Sequence, residues 1–143
     1  KARCRELAEL LQAQGYSALA LHGDLEQRDR DQVLVRFANR SCSVLVATDV
    51  AARGLDIAGL AAVISVDIPS DADVHVHRIG RTGRAGATGE ALSIVCAEDR
   101  PLLGAIERLI NRKIEVRLTD KEKADKYKIR TKTSYRAVRD SLK

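Results

Sequence analysis

The chain has few aromatic and few sulfur-containing side chains. Its 143 residues include three Tyr, one Phe, no Trp and no Met. Because bases stack on aromatic rings, this shortage argues against nucleic-acid binding through stacked bases, and any such contacts are expected on phosphate and sugar. Ala, Leu, Val and Ile are plentiful instead. The sequence therefore predicts an aliphatic core, which suits a buried parallel sheet.

Cysteine and long apolar runs are also scarce. Cys4, Cys42 and Cys96 are odd in number and show no Cys-x-x-Cys or Cys/His spacing, so we expect small buried thiols in a reducing compartment and no metal site. No signal peptide is visible, and no apolar run approaches the roughly 18 residues of a membrane span. We expect a cytoplasmic protein without a membrane partner. A chain that has no Met and opens on Lys1 is expected to be a fragment of a longer polypeptide.

Positive charge is concentrated at the C-terminal end. Residues 1–120 hold 16 Lys and Arg against 17 Asp and Glu, whereas residues 121–143 hold nine against three. All of the excess charge therefore lies in the tail. We predict a folded domain over residues 1–118 and a basic extension over residues 119–143, which is either a solvated segment or a nonspecific phosphate contact.

Apolar spacing predicts alternating helices and strands. Helical periods occur near residues 4–11 and over residues 26–39, 71–79 and 98–110, and short apolar runs predict strands at residues 17–21, 43–47, 61–66, 89–96 and 113–118. This alternation indicates an α/β fold with right-handed crossovers and a parallel sheet flanked by helices on both faces. Ligand sites in such a sheet lie beyond the carboxyl ends of the strands.

Residues 77–86 form an arginine-rich run, His-Arg-Ile-Gly-Arg-Thr-Gly-Arg-Ala-Gly. A guanidinium keeps its charge and offers a planar fork of donors that matches phosphate oxygens, and the interspersed glycines allow a ligand close to the backbone. The run therefore predicts a polyphosphate site, with a solvated basic turn as the alternative. A second run at residues 47–57, Ala-Thr-Asp-Val-Ala-Ala-Arg-Gly-Leu-Asp-Ile, favours the polyphosphate site.

Together these runs resemble motifs V and VI of the superfamily 2 helicases, in the form typical of DEAD-box ATP-dependent RNA helicases. Leu-His-Gly-Asp at residues 21–24, with Gln27 and Arg30, resembles motif IVa, so the resemblance covers roughly residues 1–110. Residues 21–37 look most like the bacterial DEAD-box protein A group, whose RNA target is ribosomal. The resemblance implies the RecA-like, P-loop NTPase-type fold of the helicase C-terminal lobe, here lacking its first strand.

The resemblance assigns RNA-backbone contacts to Gly23, Gln27, Arg30 and Thr48. Gly23 can present its N–H to a phosphate because no side chain intervenes, although an ordinary turn glycine is the alternative. By the same resemblance, Asp56 bonds the ribose of ATP, Arg81 and Arg84 reach its triphosphate, and Arg84 is the arginine finger.

Two further residues are implied to couple the ATP-facing and RNA-facing parts of the enzyme. His77 is expected to link the two sets of loops, with a structural histidine as the alternative. Arg53 is expected to pair with another lobe, or else to form a structural salt bridge.

Several helicase motifs are absent. The chain has no Gly-x-x-x-x-Gly-Lys-Thr loop and no Asp-Glu-Ala-Asp run, so this fragment alone should not hydrolyse ATP. The resemblance implies an N-terminal RecA-like domain of the same polypeptide that holds most of the Mg²⁺ contacts, and a ribosomal or other structured RNA as partner. The parent protein would then unwind short RNA duplexes. The alternatives are a lobe of a DNA-acting superfamily 2 translocase and a non-catalytic RNA-binding or interaction module.

Overall fold

A computed structural model describes residues 1–53, 55, 57, 59–83, 88–118 and 136–142. Its elements in chain order are α1 (Ala2–Ala13), β1 (Ala18–Leu21), α2 (Gln27–Ala38), β2 (Val44–Ala47), α3 (Asp49–Ala52), β3 (Ala62–Ser65), α4 (Ala72–Ile79), β4 (Gly89–Val95), α5 (Arg100–Leu109), β5 (Glu115–Leu118) and β6 (Arg136–Leu142). A 3₁₀ turn, Ala97–Asp99, leads into α5. The chain divides into two compact units, Lys1–Asp56 and Ile57–Lys143.

The first unit is built on the parallel pair β1 and β2, in which Ala18 lies opposite Val44 and Leu21 lies opposite Ala47. The apolar period of α1 turns Cys4 and Ala8 inward, and both side chains are buried. The Cys4 thiol donates to the carbonyl of Val46 at 3.1 Å, and burial raises the pKa of this thiol. The helix and the two strands thus form the core of this unit.

The second unit contains a four-stranded sheet in the order β3, β4, β6, β5. Strands β3 and β4 run parallel, whereas β6 pairs antiparallel with both β4 and β5. An aliphatic cluster of Ile68, Val95, Ile106 and Ile114 forms the buried core. Pro101 stands in the first turn of α5, where its missing N–H has no intrahelical partner to lose.

The structure confirms the α/β class and the parallel pairing of β1 with β2 and of β3 with β4. It differs in two respects, since the described pairings form two separate sheets and β6 makes the second of them mixed. Sequence analysis did not predict β6, which lies beyond residue 118; the boundary between residues 118 and 119 stays a prediction. Cys4 and Cys42 are buried, but Cys96 is only partly buried, contrary to expectation.

Among the described residues, no helix is both long and apolar enough to cross a membrane. Over the same part of the chain, no group of three or more His, Cys, Asp or Glu side chains is arranged to hold a metal ion.

Candidate functional site

Two loops that carry predicted RNA contacts lie side by side in the first unit. Gly23 follows the carboxyl end of β1, and Thr48 follows the carboxyl end of β2. The Thr48 N–H donates to the carbonyl of Leu21 at 3.1 Å, which extends the strand ladder by one bond. Because the strands are parallel neighbours, both loops leave the sheet at the same edge, where ligands of α/β folds bind.

Gly23 is exposed and lies in open space. A Cβ built on this residue would meet no described heavy atom within 4 Å, and its φ is outside the left-handed region. Neither a close neighbour nor backbone strain therefore requires glycine here. What the missing side chain does provide is direct access to the backbone N–H.

Arg30 and Thr48 converge on Ala51, a fully buried residue of α3. The Arg30 guanidinium donates through Nη2 to the carbonyl of Ala51 at 2.8 Å. Thr48 caps α3, since its Oγ1 accepts the N–H of Ala51 at 3.4 Å. Both side chains thus form a hydrogen bond with the protein itself. A guanidinium has five N–H donors, so Arg30 has others besides the one that bonds Ala51.

Gln27 lies at the start of one helix, and Arg53 lies just past the end of another. Gln27 opens α2, and its Nε2 donates to Asp31 Oδ1 at 2.7 Å. Arg53 follows the last residue of α3, and its side chain is exposed.

Two polar residues flank Gly23 in sequence. His22 is buried, and its Nδ1 has no hydrogen-bond partner among the described residues. Asp24 forms a 2.6 Å ion pair with Lys1, and this bond lowers the pKa of the Asp24 carboxyl. The pair ties the Gly23 loop to the start of α1.

The arginine-rich run of the second unit begins at the end of α4. The Oδ1 of Asp71 caps this helix by accepting the Asp73 N–H at 2.9 Å, and the helix ends at Ile79. Arg81 follows, half-buried. Thr82, next in the chain, is buried, and its hydroxyl donates to the carbonyl of Leu60. Of the predicted ATP contacts, Asp56 and Arg84 lie outside the described residues.

The two histidines of α4 have different environments. His77 is exposed in the last turn. His75 is 3% exposed, and neither ring nitrogen has a hydrogen-bond partner in the described part of the chain. Burial, and secondarily the Arg78 guanidinium, lower the pKa of His75. Arg78 itself donates to the carbonyl of Asp67 at 2.6 Å.

Sequence analysis missed Thr82 and the buried His22. Thr82 lies within the arginine-rich run, for which the sequence leaves open a polyphosphate site or a solvated basic turn, and no spacing in the sequence indicates its burial. His22 directly follows β1, and it is buried like Leu21 at the end of that strand.

The helicase conserved C-terminal domain family matches residues 1–86 of the chain. The chain belongs to this family. It is 54% identical over 114 residues to the ATP-dependent RNA helicase DbpA of Escherichia coli, which covers 80% of the chain and 25% of DbpA. The chain thus spans about a quarter of the length of this relative.

Solved structures agree with this family. A DEAD box protein from Methanococcus jannaschii matches 79% of the chain and 31% of its own, with a TM-score of 0.73 and 42% identity. A variant of Saccharomyces cerevisiae Dbp5 bound to RNA and ADP BeF3 matches 76% of the chain and 29% of its own, with a TM-score of 0.70 and 36% identity. The resemblance to DEAD-box C-terminal domains and the RecA-like fold are confirmed.

Proposed function

We propose that this helicase domain is the C-terminal lobe of a cytoplasmic ATP-dependent RNA helicase, and that it binds RNA backbone while completing an ATP site. The observation that carries the proposal is the pairing of the Gly23 and Thr48 loops at one edge of the β1–β2 sheet. The match to a Dbp5 variant that is bound to RNA and ADP BeF3 supports RNA and an adenosine nucleotide as the two ligands.

For RNA, the proposed contacts are Gly23, Gln27, Arg30 and Thr48. An exposed glycine N–H, a hydroxyl, an amide and a guanidinium are donors suited to phosphate and sugar oxygens, and they carry no base-edge information. Binding should therefore be independent of sequence. A ribosomal or other structured RNA is the target we propose from the likeness of residues 21–37 to the DEAD-box protein A group.

For ATP, the proposed contacts are Asp56 on the ribose and Arg81 with Arg84 on the triphosphate. ATP supplies the phosphoryl group that is transferred to water, and the guanidinium groups would stabilise the charge on its oxygens in the transition state. The half-buried Arg81, on a loop anchored by Thr82, fits a fixed donor of this kind. Mg²⁺ would be held mainly by the N-terminal RecA-like domain that we propose as the second lobe.

Arg53 and His77 are proposed to couple the two ligands. Arg53 is exposed beside α3 and could pair with a carboxylate of the second lobe, while His77 is exposed on the helix that leads into the arginine loop. Since ATP and RNA would each touch both lobes, they favour the closed arrangement of the enzyme. Basic side chains of residues 119–143, a range that includes β6 (Arg136–Leu142), are proposed to add nonspecific phosphate contacts.

The test is a chimera of E. coli DbpA in which the matched 114-residue segment is replaced by that of this chain. We expect ATP turnover that structured RNA stimulates and DNA of the same sequence does not. Stimulation by DNA would favour the translocase alternative. RNA binding without any RNA-stimulated turnover, in a folded chimera, would favour a non-catalytic RNA-binding module instead.

A further inference from the structure

The side chain of Thr82 is almost completely buried within the arginine-rich run. It is 2% exposed, and its hydroxyl donates to the carbonyl of Leu60. The backbones of Leu60 and Thr82 also form an isolated parallel bridge. The backbone of Leu60, 22 positions away in sequence, therefore contacts both the side chain and the backbone of Thr82 at the centre of the run.

Gly89, the first residue of β4, provides the space that Thr82 occupies. A Cβ on Gly89 would stand 2.5 Å from the Gly83 backbone nitrogen and 2.9 Å from Thr82 Cβ, and nearer still to Thr82 Oγ1. The φ of Gly89 is outside the left-handed region, so glycine is required here by space and not by backbone conformation. Gly89 is buried under the arginine loop.

These contacts fix the backbone directly after Arg81, one of the two arginines that are proposed to reach the triphosphate. Arg81 directly precedes Thr82, and Arg84 follows it by two residues. The Arg81 and Thr82 N–H groups donate to the carbonyls of Arg78 and Ile79 at 3.2 and 3.1 Å, which continues the end of α4 into the loop. We call Thr82, Leu60 and Gly89 the Thr82 clasp.

We propose that Thr82 and Gly89 are positioning residues, which hold Arg81 in the geometry needed for ATP hydrolysis. This inference rests on the proposed function of Arg81. Charge stabilisation in phosphoryl transfer depends on donors that are already in place, and a misplacement of about 1 Å can cost on the order of a hundredfold in rate. Neither Thr82 nor Gly89 needs to touch ATP.

The first experiment measures amide hydrogen exchange in the complete chain. Thr82→Val removes the hydroxyl but keeps the shape of the side chain, and Thr82→Ser keeps the hydroxyl. We expect Thr82→Val to speed exchange of the residue 81 and 82 amides by at least about tenfold, while the core amide of Ile110, which bonds Ile106, is unchanged. Thr82→Ser should stay near the parent rate. Equal exchange in the Val variant and the parent would overturn the clasp.

The matched control is Thr88→Val, because Thr88 is exposed six positions along the same segment. This variant makes the same chemical change without a buried bond, and it should leave the exchange of both loop amides unaltered. If Thr88→Val speeds their exchange as much as Thr82→Val does, the effect is not that of the clasp, and the proposal fails.

The second experiment measures RNA-stimulated ATP turnover in the DbpA chimera. Thr82→Val and Gly89→Ala should each lower kcat by about ten- to a hundredfold with little rise in the KM for ATP, because Arg81 is proposed to act on charge that develops in the transition state. Thr82→Ser should recover most of kcat. An unchanged kcat in the folded Val and Ala variants, or a Ser variant as slow as the Val variant, would refute the positioning role.

The two experiments separate the clasp from the proposed function. A chimera that is inactive with the parent segment contradicts the proposed function, and hydrogen exchange still decides whether Thr82 holds the loop. An active chimera whose kcat is unaffected by faster loop exchange contradicts the positioning role alone.

Discussion

The guanidinium of Arg30 in α2 donates to the backbone carbonyl of Ala51 in α3, at 2.8 Å and across 21 positions of sequence. Thr48 binds the N–H of the same residue. Two side chains that the helicase resemblance assigns to RNA therefore also hold the helix that follows β2. Substitutions at Arg30 are expected to act on stability and on RNA binding together.

Arg30→Ala should lower the free energy of unfolding by about 1–2 kcal/mol, since a hydrogen bond from a charged donor to a buried peptide is lost. Urea denaturation at constant pH measures this change. The control is Arg28→Ala on the exposed side of the same helix, which should stay within about 0.5 kcal/mol of the parent. Equal stabilities of the two variants would show that the Arg30 bond contributes nothing.

Gly23→Ala should weaken RNA binding without loss of stability. A Cβ at this position meets no described atom of the protein, so any loss of affinity arises where RNA backbone approaches the loop. Fluorescence anisotropy with a single-stranded RNA, at one stated salt concentration, measures the affinity. Unaltered affinity would mean that Gly23 is an ordinary turn glycine.

The matched control for Gly23 is Gly104→Ala, another site at which a Cβ meets nothing within 4 Å. Gly104 lies inside α5, where alanine is the better helix former. This variant should keep its RNA affinity and raise the free energy of unfolding by up to about 1 kcal/mol.

Substitution of either arginine of the proposed ATP site should lower the rate of ATP turnover. In the DbpA chimera, Arg84→Ala should lower kcat by at least about a hundredfold with a much smaller change in RNA affinity. Arg81→Lys should recover little of the activity lost in Arg81→Ala, because a point charge replaces a planar fork of donors. Steady-state ATPase kinetics with saturating RNA provide the measurement, and full activity of the Lys variant would show that charge alone matters.

Acidification should destabilise the second unit through His75. The folded pKa of this buried imidazole lies below its ordinary value of 6.5, so the unfolded chain binds the proton more readily. Stability should therefore fall as pH drops from about 7.5 to 5, by no more than about 1.4 kcal/mol per pH unit from this one group.

His75→Leu should remove this part of the pH dependence, whereas His77→Leu, at the exposed histidine of the same helix, should retain it. Urea titrations at several pH values above the range of the carboxylates measure both slopes. The same slope in His75→Leu and the parent would locate the acid sensitivity elsewhere.

The basic extension can be tested without removing its backbone. Changing Lys121, Lys123, Lys126 and Lys128 to Gln should weaken RNA binding for all sequences and flatten the dependence of log affinity on log salt, because fewer counterions are released. Affinities at a series of salt concentrations measure the slope. An unchanged slope would mean that these lysines are solvated, and a loss restricted to one RNA sequence would mean that they read more than phosphate.

Local pattern in the sequence predicted most of the secondary structure. The apolar run at residues 17–21 became β1 (Ala18–Leu21), and the helical period at residues 71–79 became α4 (Ala72–Ile79). The motifs at residues 47–57 and 77–84 indicate the helicase family without reference to the fold. These features depend on side-chain spacing over a few residues, and such spacing can be read directly from the sequence.

Contacts between distant residues were decided only by tertiary structure. No periodicity places Arg30 on the carbonyl of Ala51, Thr82 on that of Leu60, or Gly89 against the Thr82 side chain. The antiparallel insertion of β6 between β4 and β5 was likewise missed, because Arg136–Leu142 reads locally as a charged tail. Which distant residues come into contact depends on how the strands pair and on the space between neighbouring elements. The sequence therefore determined the family and the residues of its motifs, while the fold decided which of them are held in place and by what.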